Sequence, residues 1–250
     1  MAVTASNVVW ITGATSGIGD GLARSCPWPD TKIFSVSRRE HPEFETVPFE
    51  LTDTATWDRL ADHVTEVLAT FRGERALFIH NAIAPLGHRF VGEGDVDAYR
   101  EEISANAVSP LVLGDMFLRA AKPAVEAGVD VGLVQMSSAS ARLAYPGMAV
   151  YCAAKASMEQ WVRAVRAERE LRGEGPWVVA IRPGFVDTPS NRRAAELPLD
   201  QHPAVPAIVE AVRTGENMLS TEECASNIWG ALAAGAPEKA VLLFGEAVGA

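Results

Sequence analysis

Tyr151 and Lys155 stand four residues apart, and Ser138 precedes the tyrosine by thirteen residues. A pair spaced i, i+4 falls on one face of a helix, so an ammonium is carried close to a phenol. A free phenol titrates near ~10, too high for efficient proton transfer at neutral pH, and a fixed positive charge nearby lowers that value. The chemistry available to such a set is acid-base: tyrosine supplies a proton to an oxygen that gains charge, and a serine hydroxyl hydrogen-bonds the same oxygen. Taken alone, Tyr-x-x-x-Lys is also the pattern of an ordinary solvated helix face, so the surrounding elements decide its meaning.

The first of those elements is a glycine turn. Asn7 to Thr12 is a short apolar run, followed by Gly13-Ala14-Thr15-Ser16-Gly17-Ile18-Gly19 and a helix through Leu22 and Ala23. Glycines at a strand-to-helix turn let backbone approach a pyrophosphate, and the helix N-terminus offers N–H donors and a favourable dipole. The loop lacks the Lys-Ser/Thr ending of an ATP-type phosphate loop, which leaves a dinucleotide as the expected ligand. Gly13, Thr15, Ser16, Gly17, Ile18 and Gly19 are its candidate contacts. Dinucleotide sites usually place a carboxylate after the second strand to bind the ribose 2′-hydroxyl. Here that strand ends Ser37-Arg38-Arg39. An arginine in this place accepts a 2′-phosphate through charge-assisted hydrogen bonds and selects NADP(H), chiefly through Arg38, with Arg39 as either a second contact or solvated surface charge. Asp53, after the third strand, is placed to meet an adenine amino group, to cap the helix that follows, or both.

Strands and helices alternate along the chain. Strand candidates are Asn7 to Thr12, Lys32 to Ser37, Thr46 to Phe49, Ala76 to His80, Val131 to Met136, Val178 to Arg182 and Ala240 to Phe244. Helical periodicity covers Ala55 to Phe71, Val96 to Lys122, Met148 to Leu171 and Thr221 to Ala233. This order predicts an α/β fold, a Rossmann-type doubly wound domain with a mostly parallel seven-stranded sheet and helices on both faces. The 250 residues read as one dinucleotide-binding and catalytic domain. A proline-rich insertion at about 187–220, with one short helix near Ala204 to Arg213, reads as a substrate lid.

Composition narrows the partners. A hydrophobic share of 48% and a charged share of 22% are those of a globular protein, and no apolar run is long enough to span a membrane. The N-terminus shows no basic region followed by a long apolar one, and Cys26, Cys152 and Cys224 suit reduced thiols, so a cytoplasmic protein is expected. A net charge of −10 with no basic block disfavours nucleic acid, and no metal-ligand spacing is present.

These motifs together resemble the short-chain dehydrogenase/reductase family over nearly the whole chain. Thr12-Gly13-x-x-x-Gly17-x-Gly19 is similar to its cofactor loop and Asp53 to its adenine-contacting aspartate. Asn81-Ala82 is similar to its Asn-Asn-Ala-Gly element, although His80 and Ile83 stand where that element has asparagine and glycine. Ser138 keeps the family spacing to Tyr151, which Ser137 misses by one residue. The resemblance implies that Asn106 anchors a water linking Lys155 to solvent and that Lys155 also holds the nicotinamide ribose. It implies, too, that Arg182 to Thr188 carries the carboxamide-binding segment, with Pro183, Gly184, Val186 and Thr188 as contacts. Val-Ser-Arg-Arg is similar to sepiapterin reductases and benzil-type carbonyl reductases.

The activity so implied is NADPH-dependent reduction of a ketone, aldehyde or diketone. A 3-oxoacyl or hydroxysteroid reductase, or a non-catalytic NADP-binding regulator, is the alternative. Candidate pocket residues are Ile83, Leu86, His88, Ala139, Tyr145, Met148 and Phe185; Arg192 and Arg193 read as lid charge. A homodimer or homotetramer through the helices at Val96 to Lys122 and Met148 to Leu171 is implied by the resemblance, with Trp161 and Val165 serving either that contact or the core.

Overall fold

A computed structural model describes residues 3–85, 87–196 and 205–245. Leu86, and the part of the expected lid that contains Pro198 and Pro203, lie outside the described residues. Seven strands form one sheet: β1 (Asn7–Thr12), β2 (Thr31–Ser37), β3 (Glu45–Pro48), β4 (Arg75–His80), β5 (Asp130–Met136), β6 (Trp177–Arg182) and β7 (Val241–Leu243). Their order is β3-β2-β1-β4-β5-β6-β7, and every pairing is parallel. Strands so arranged are buried on both faces, which is why they read as short apolar runs rather than as alternating patterns.

The period-2 alternation of side chains divides the core in two. Val8, Trp10, Phe34, Phe78 and Leu133 face one side, against α2 (Thr54–Thr70), α4 (Ser109–Ala120) and α6 (Ala149–Arg172). Val9, Ile11, Leu77, Ile79 and Val179 face the other, where α1 (Gly17–Arg24) and α9 (Thr221–Leu232) supply Leu22, Ile228 and Trp229. The remaining helices are α3 (Val96–Ile103), α5 (Lys122–Glu126), α7 (Pro189–Ala195) and α8 (Val205–Thr214).

Two segments differ from the expectation. The single helix foreseen over Val96 to Lys122 is interrupted by a π-helical turn at Ser104–Val108, in which Asn106 sits. Pro189 opens α7 at its first position, where its missing N–H is harmless, and Thr188 caps it by accepting a hydrogen bond from Asn191 N. No helix of the described residues is long and apolar enough to cross a membrane.

The strand order reverses between β1 and β4, since β2 and β3 lie to one side and β5 to β7 to the other. A crevice at such a switch point, beyond the carboxyl ends of the strands, is where open α/β sheets bind ligands. The glycine turn, Arg38, Asn81, Ser138 and Pro183 follow the carboxyl ends of β1, β2, β4, β5 and β6, and so lie at that end.

Candidate active site

The turn after β1 is built for close approach. Gly13 and Gly17 have φ of +70° and +56°, and a Cβ on Gly19 would stand 2.3 Å from the Gly13 carbonyl oxygen. Only glycine satisfies these positions at low cost. Ser16 is the N-cap of α1 yet makes no side-chain cap hydrogen bond, so the first-turn N–H groups are left to an external acceptor. Ile18 packs against the core beneath the loop. This cradle fits a dinucleotide pyrophosphate.

Thr12 ties the loop to the neighbouring strand end. Its hydroxyl accepts hydrogen bonds from Asn81 N and Ala82 N, both at 2.8 Å, and its carbonyl accepts from Asn81 Nδ2 at 3.1 Å. The Asn81 side chain therefore braces the glycine turn. Ile83, in the place of a glycine in the resembling pattern, is 37% exposed and is not among the positive-φ residues. A β-branched side chain is accommodated there without backbone strain.

The two arginines after β2 have different surroundings. Arg39 Nη2 donates to Thr15 Oγ1 at 3.2 Å, which lays its guanidinium against the glycine turn. Arg38 is 72% exposed at its side chain and lies 3.3 Å from Glu50. The sequence pointed mainly to Arg38, whereas contact with the loop belongs to Arg39. Asp53 caps α2 by accepting from Ala55 N at 3.0 Å.

Ser138, Tyr151 and Lys155 come together where β5 ends and α6 begins. Ser137 and Ser138 are separated by their surroundings: Ser137 is buried and donates to Glu159 Oε1 at 2.8 Å, while Ser138 is half-buried and caps the short 3-10 turn Ala139–Ala141. Ser137 is committed to the core, leaving Ser138 for the crevice. Burial pushes the Tyr151 phenol above its ordinary value, opposed by the hydroxyls of Ser138 and Ser140. Lys155 does not act as expected on the phenol. Its Nζ lies 5.7 Å from the centroid of the Tyr151 ring and donates instead to the Met136 carbonyl at 2.6 Å. Desolvation is the largest influence on the phenol and sets the direction opposite to the lowering expected from the spacing. Burial also carries Lys155 down, to about 8.

Asn106 is 4% exposed, and its Oδ1 accepts from Ala84 N at 2.9 Å. The π-turn gives the helix an extra residue at this point, and such turns are frequent at functional sites.

Beyond β6, Gly184 has φ of +81°, and Val186 is buried and bridged to Leu219. Thr188 returns to the glycine turn: a Cβ on Gly17 would meet its Cγ2 at 3.4 Å. Pro183 to Thr188 thus borders the same crevice.

A buried cluster behind the site was not foreseen from the sequence. Arg182 Nε and Nη2 donate to Glu159 Oε1 and Oε2, each at 2.6 Å, and Arg163 Nη2 reaches Glu159 Oε2 at 3.1 Å. The signal was present: Arg182 ends an apolar strand, and Glu159 shares the buried face of α6 with Lys155 and Val162. Although burial opposes ionisation of Glu159, hydrogen bonds from Arg182, Ser137 and Arg163 hold its carboxyl below the ordinary value.

The sheet order and the glycine turn define a Rossmann-type architecture, and comparison with known proteins gives it a family. Residues 7–197 match the family model for short chain dehydrogenase, and the protein belongs to that family. It is 26% identical to a benzil reductase ((S)-benzoin forming) of Bacillus cereus over 72% of this chain and 76% of the relative. It is 28% identical to sulfoacetaldehyde reductase 2 of Chromohalobacter salexigens, covering 73% and 74% of the two chains. Among solved structures, the NADPH-bound carbonyl reductase from chicken fatty liver superposes with a TM-score of 0.68 at 20% identity, covering 89% of this chain and 85% of that one.

Proposed function

We propose that the protein is an NADPH-dependent reductase that converts the carbonyl of a small apolar substrate to an alcohol. The observation that carries this reading is the meeting of Ser138, Tyr151 and Lys155 at one end of the sheet, beside a glycine turn with uncapped N–H groups. The cofactor supplies the hydride when bound. Gly13, Thr15, Ser16, Gly17, Ile18 and Gly19 would hold its pyrophosphate, Asp53 its adenine, and Pro183, Gly184, Val186 and Thr188 its carboxamide end. Arg39, against Thr15, and Arg38, beside Glu50, would receive the 2′-phosphate. Asn81 keeps the loop in shape through Thr12.

Tyr151 would give its proton to the substrate oxygen as that oxygen gains charge, and Ser138 would hydrogen-bond the same atom. A phenol raised by burial is a neutral acid at working pH, which suits donation in the reducing direction. Lys155 would orient the cofactor ribose, and Asn106 would anchor the solvent link. Ala139, Tyr145, Met148 and Phe185 are half-buried, and as the pocket lining they would favour a hydrophobic carbonyl compound. Reduction is also the activity named for the benzil and sulfoacetaldehyde reductases to which the chain is similar.

Homo-oligomerisation is part of the proposal. Trp161 and Val165 pack against the core, whereas Val108 and Val112 lie one turn apart and exposed, offering an apolar face to a second copy.

The test is a screen of NADPH oxidation over aldehydes, aryl diketones, pterins, steroids and acyl thioesters, followed by Tyr151→Phe on the best substrate. The variant should lose turnover by a factor of about a hundred or more while binding NADPH as the parent does. Turnover retained within a few-fold would sink the mechanism.

A further inference from the structure

Arg89 lies between β4 and α3 and has no part in the glycine turn or in the Ser138, Tyr151 and Lys155 set. Its side chain is 20% exposed and that of Glu102, near the end of α3, only 6%; Nη2 donates to Glu102 Oε2 at 3.2 Å. The guanidinium carbon also stands 5.6 Å from the centre of the Tyr99 ring, one turn earlier on α3, within cation–π range. Burial pushes the Glu102 carboxyl up, and the Arg89 charge opposes that rise. Each charge depends on the other, since removing one leaves its partner buried and unpaired.

Two glycines make room for this arginine. A Cβ on Gly87 would run into Arg89 Nη1, and a Cβ on Gly94 into Arg89 Nε and Cδ. Neither glycine has a positive φ, so the backbone itself would accept a side chain at both places. What excludes one is the guanidinium that passes beside them.

The main chain of Arg89 makes a different contact. Its N–H donates to the Gly147 carbonyl at 3.0 Å. Gly147 belongs to the turn Tyr145-Pro146-Gly147-Met148, closed by Met148 N donating to Tyr145 O at 3.1 Å. Proline second and a glycine at φ +79° third are the marks of a type II turn. The turn leads into α6, which carries Tyr151. Arg89 thus grips α3 with its side chain and the Tyr145–Met148 turn with its backbone. Helix α6 has its own anchors, Lys155 on the Met136 carbonyl and Glu159 on Arg182. Loss of the Arg89 grip therefore frees the turn and leaves Tyr151 in place.

We propose that Arg89 is a positioning residue for substrate selection: fixed against Glu102 beside Gly87 and Gly94, it holds the Tyr145–Met148 turn as a rigid wall for bulky apolar carbonyl compounds. This rests on the reading of Tyr145 and Met148 as pocket lining given above. An aryl diketone would reach that wall and gain from its rigidity, whereas a short aliphatic aldehyde is too small to use it.

The experiment compares the full-length protein with Gly94→Ala, Arg89→Ala and the double variant. Gly94→Ala displaces the guanidinium while keeping both charges. It should raise KM for an aryl diketone by about tenfold with kcat within about threefold, and leave KM for a short aliphatic aldehyde within about threefold, the pattern of lost ground-state binding. Arg89→Ala should do the same, and the double variant should be no worse than Arg89→Ala, because the clash has gone. Effects that add, fall on kcat, or strike both substrates equally would overturn the proposal. A readout without turnover accompanies these: deuterium exchange at the Met148 amide should quicken by about tenfold or more in Gly94→Ala. Unchanged exchange there would also overturn it, and this arm stands if Arg89→Ala fails to fold. Should the parent reduce no carbonyl compound, the reading of the activity fails, while exchange at Met148 still decides whether Arg89 holds the turn.

Discussion

Glu159→Gln is the substitution whose cost follows most directly from the structure. The carboxylate side chain is 2% exposed and the Arg182 side chain 11%, joined by two hydrogen bonds of 2.6 Å. Ser137 adds a third contact at 2.8 Å. The amide keeps the volume but removes the charge, so the buried guanidinium loses its counter-ion. Breaking a buried pair from one side costs about 3–5 kcal/mol, a large part of the roughly 5–15 kcal/mol that separates folded from unfolded domains. At about 2–4 °C per kcal/mol for a chain of this size, Tm should fall by about 6–20 °C, read by circular dichroism. The pH dependence gives a second check. The Glu159 carboxyl titrates below its ordinary value in the folded state. Its stabilisation is therefore present above about pH 4.3, the unfolded value, and is lost as pH falls through the folded value. Glu159→Gln should flatten the acid side of the Tm profile. A shift below about 1 °C, or an unchanged acid limb, would refute the view that this pair holds β5, α6 and β6 together.

Other outcomes follow from the cradle. Arg39→Ala and Arg38→Ala should each raise the Kd for NADPH by about tenfold or more while leaving NADH within a factor of about three, measured by fluorescence titration, with the larger effect at Arg39 because it touches the loop; equal effects on both cofactors would remove the argument for the phosphate. Gly19→Ala places a methyl 2.3 Å from the Gly13 carbonyl and 2.7 Å from Asn81 Nδ2, so the turn must shift. Binding of NADPH and NADH should both weaken by about a hundredfold or more in the same titration.

The sheet was legible because buried parallel strands are short apolar runs, and each expected strand appears within a residue or two of its place. The glycine turn and the Ser138, Tyr151 and Lys155 set were legible because local spacing fixes them. Three features were not. A π-turn adds one residue to a helix without disturbing its apolar pattern enough to show, so Val96 to Lys122 read as continuous. Helix α7 hid behind Pro189, which marks a helix start as readily as a break. Glu159 and Arg182 are 23 positions apart and meet only when α6 packs across β5 and β6. The direction of the Tyr151 shift was misread for a related reason: spacing tells which side chains are neighbours, but burial depends on the whole fold.

Thr12 is wholly buried and holds two backbone N–H groups and one side-chain amide of the neighbouring strand end. The turn that would cradle the phosphates and the segment that passes beside Asn106 are consequently one rigid piece, already in place before a ligand arrives. Binding to such a platform spends little on ordering the chain, so affinity is set by the contacts made rather than by loops that must first be frozen. The same hydroxyl makes the two segments open together or not at all, and the Asn81 and Ala82 amides should exchange with deuterium as slowly as the strands they follow.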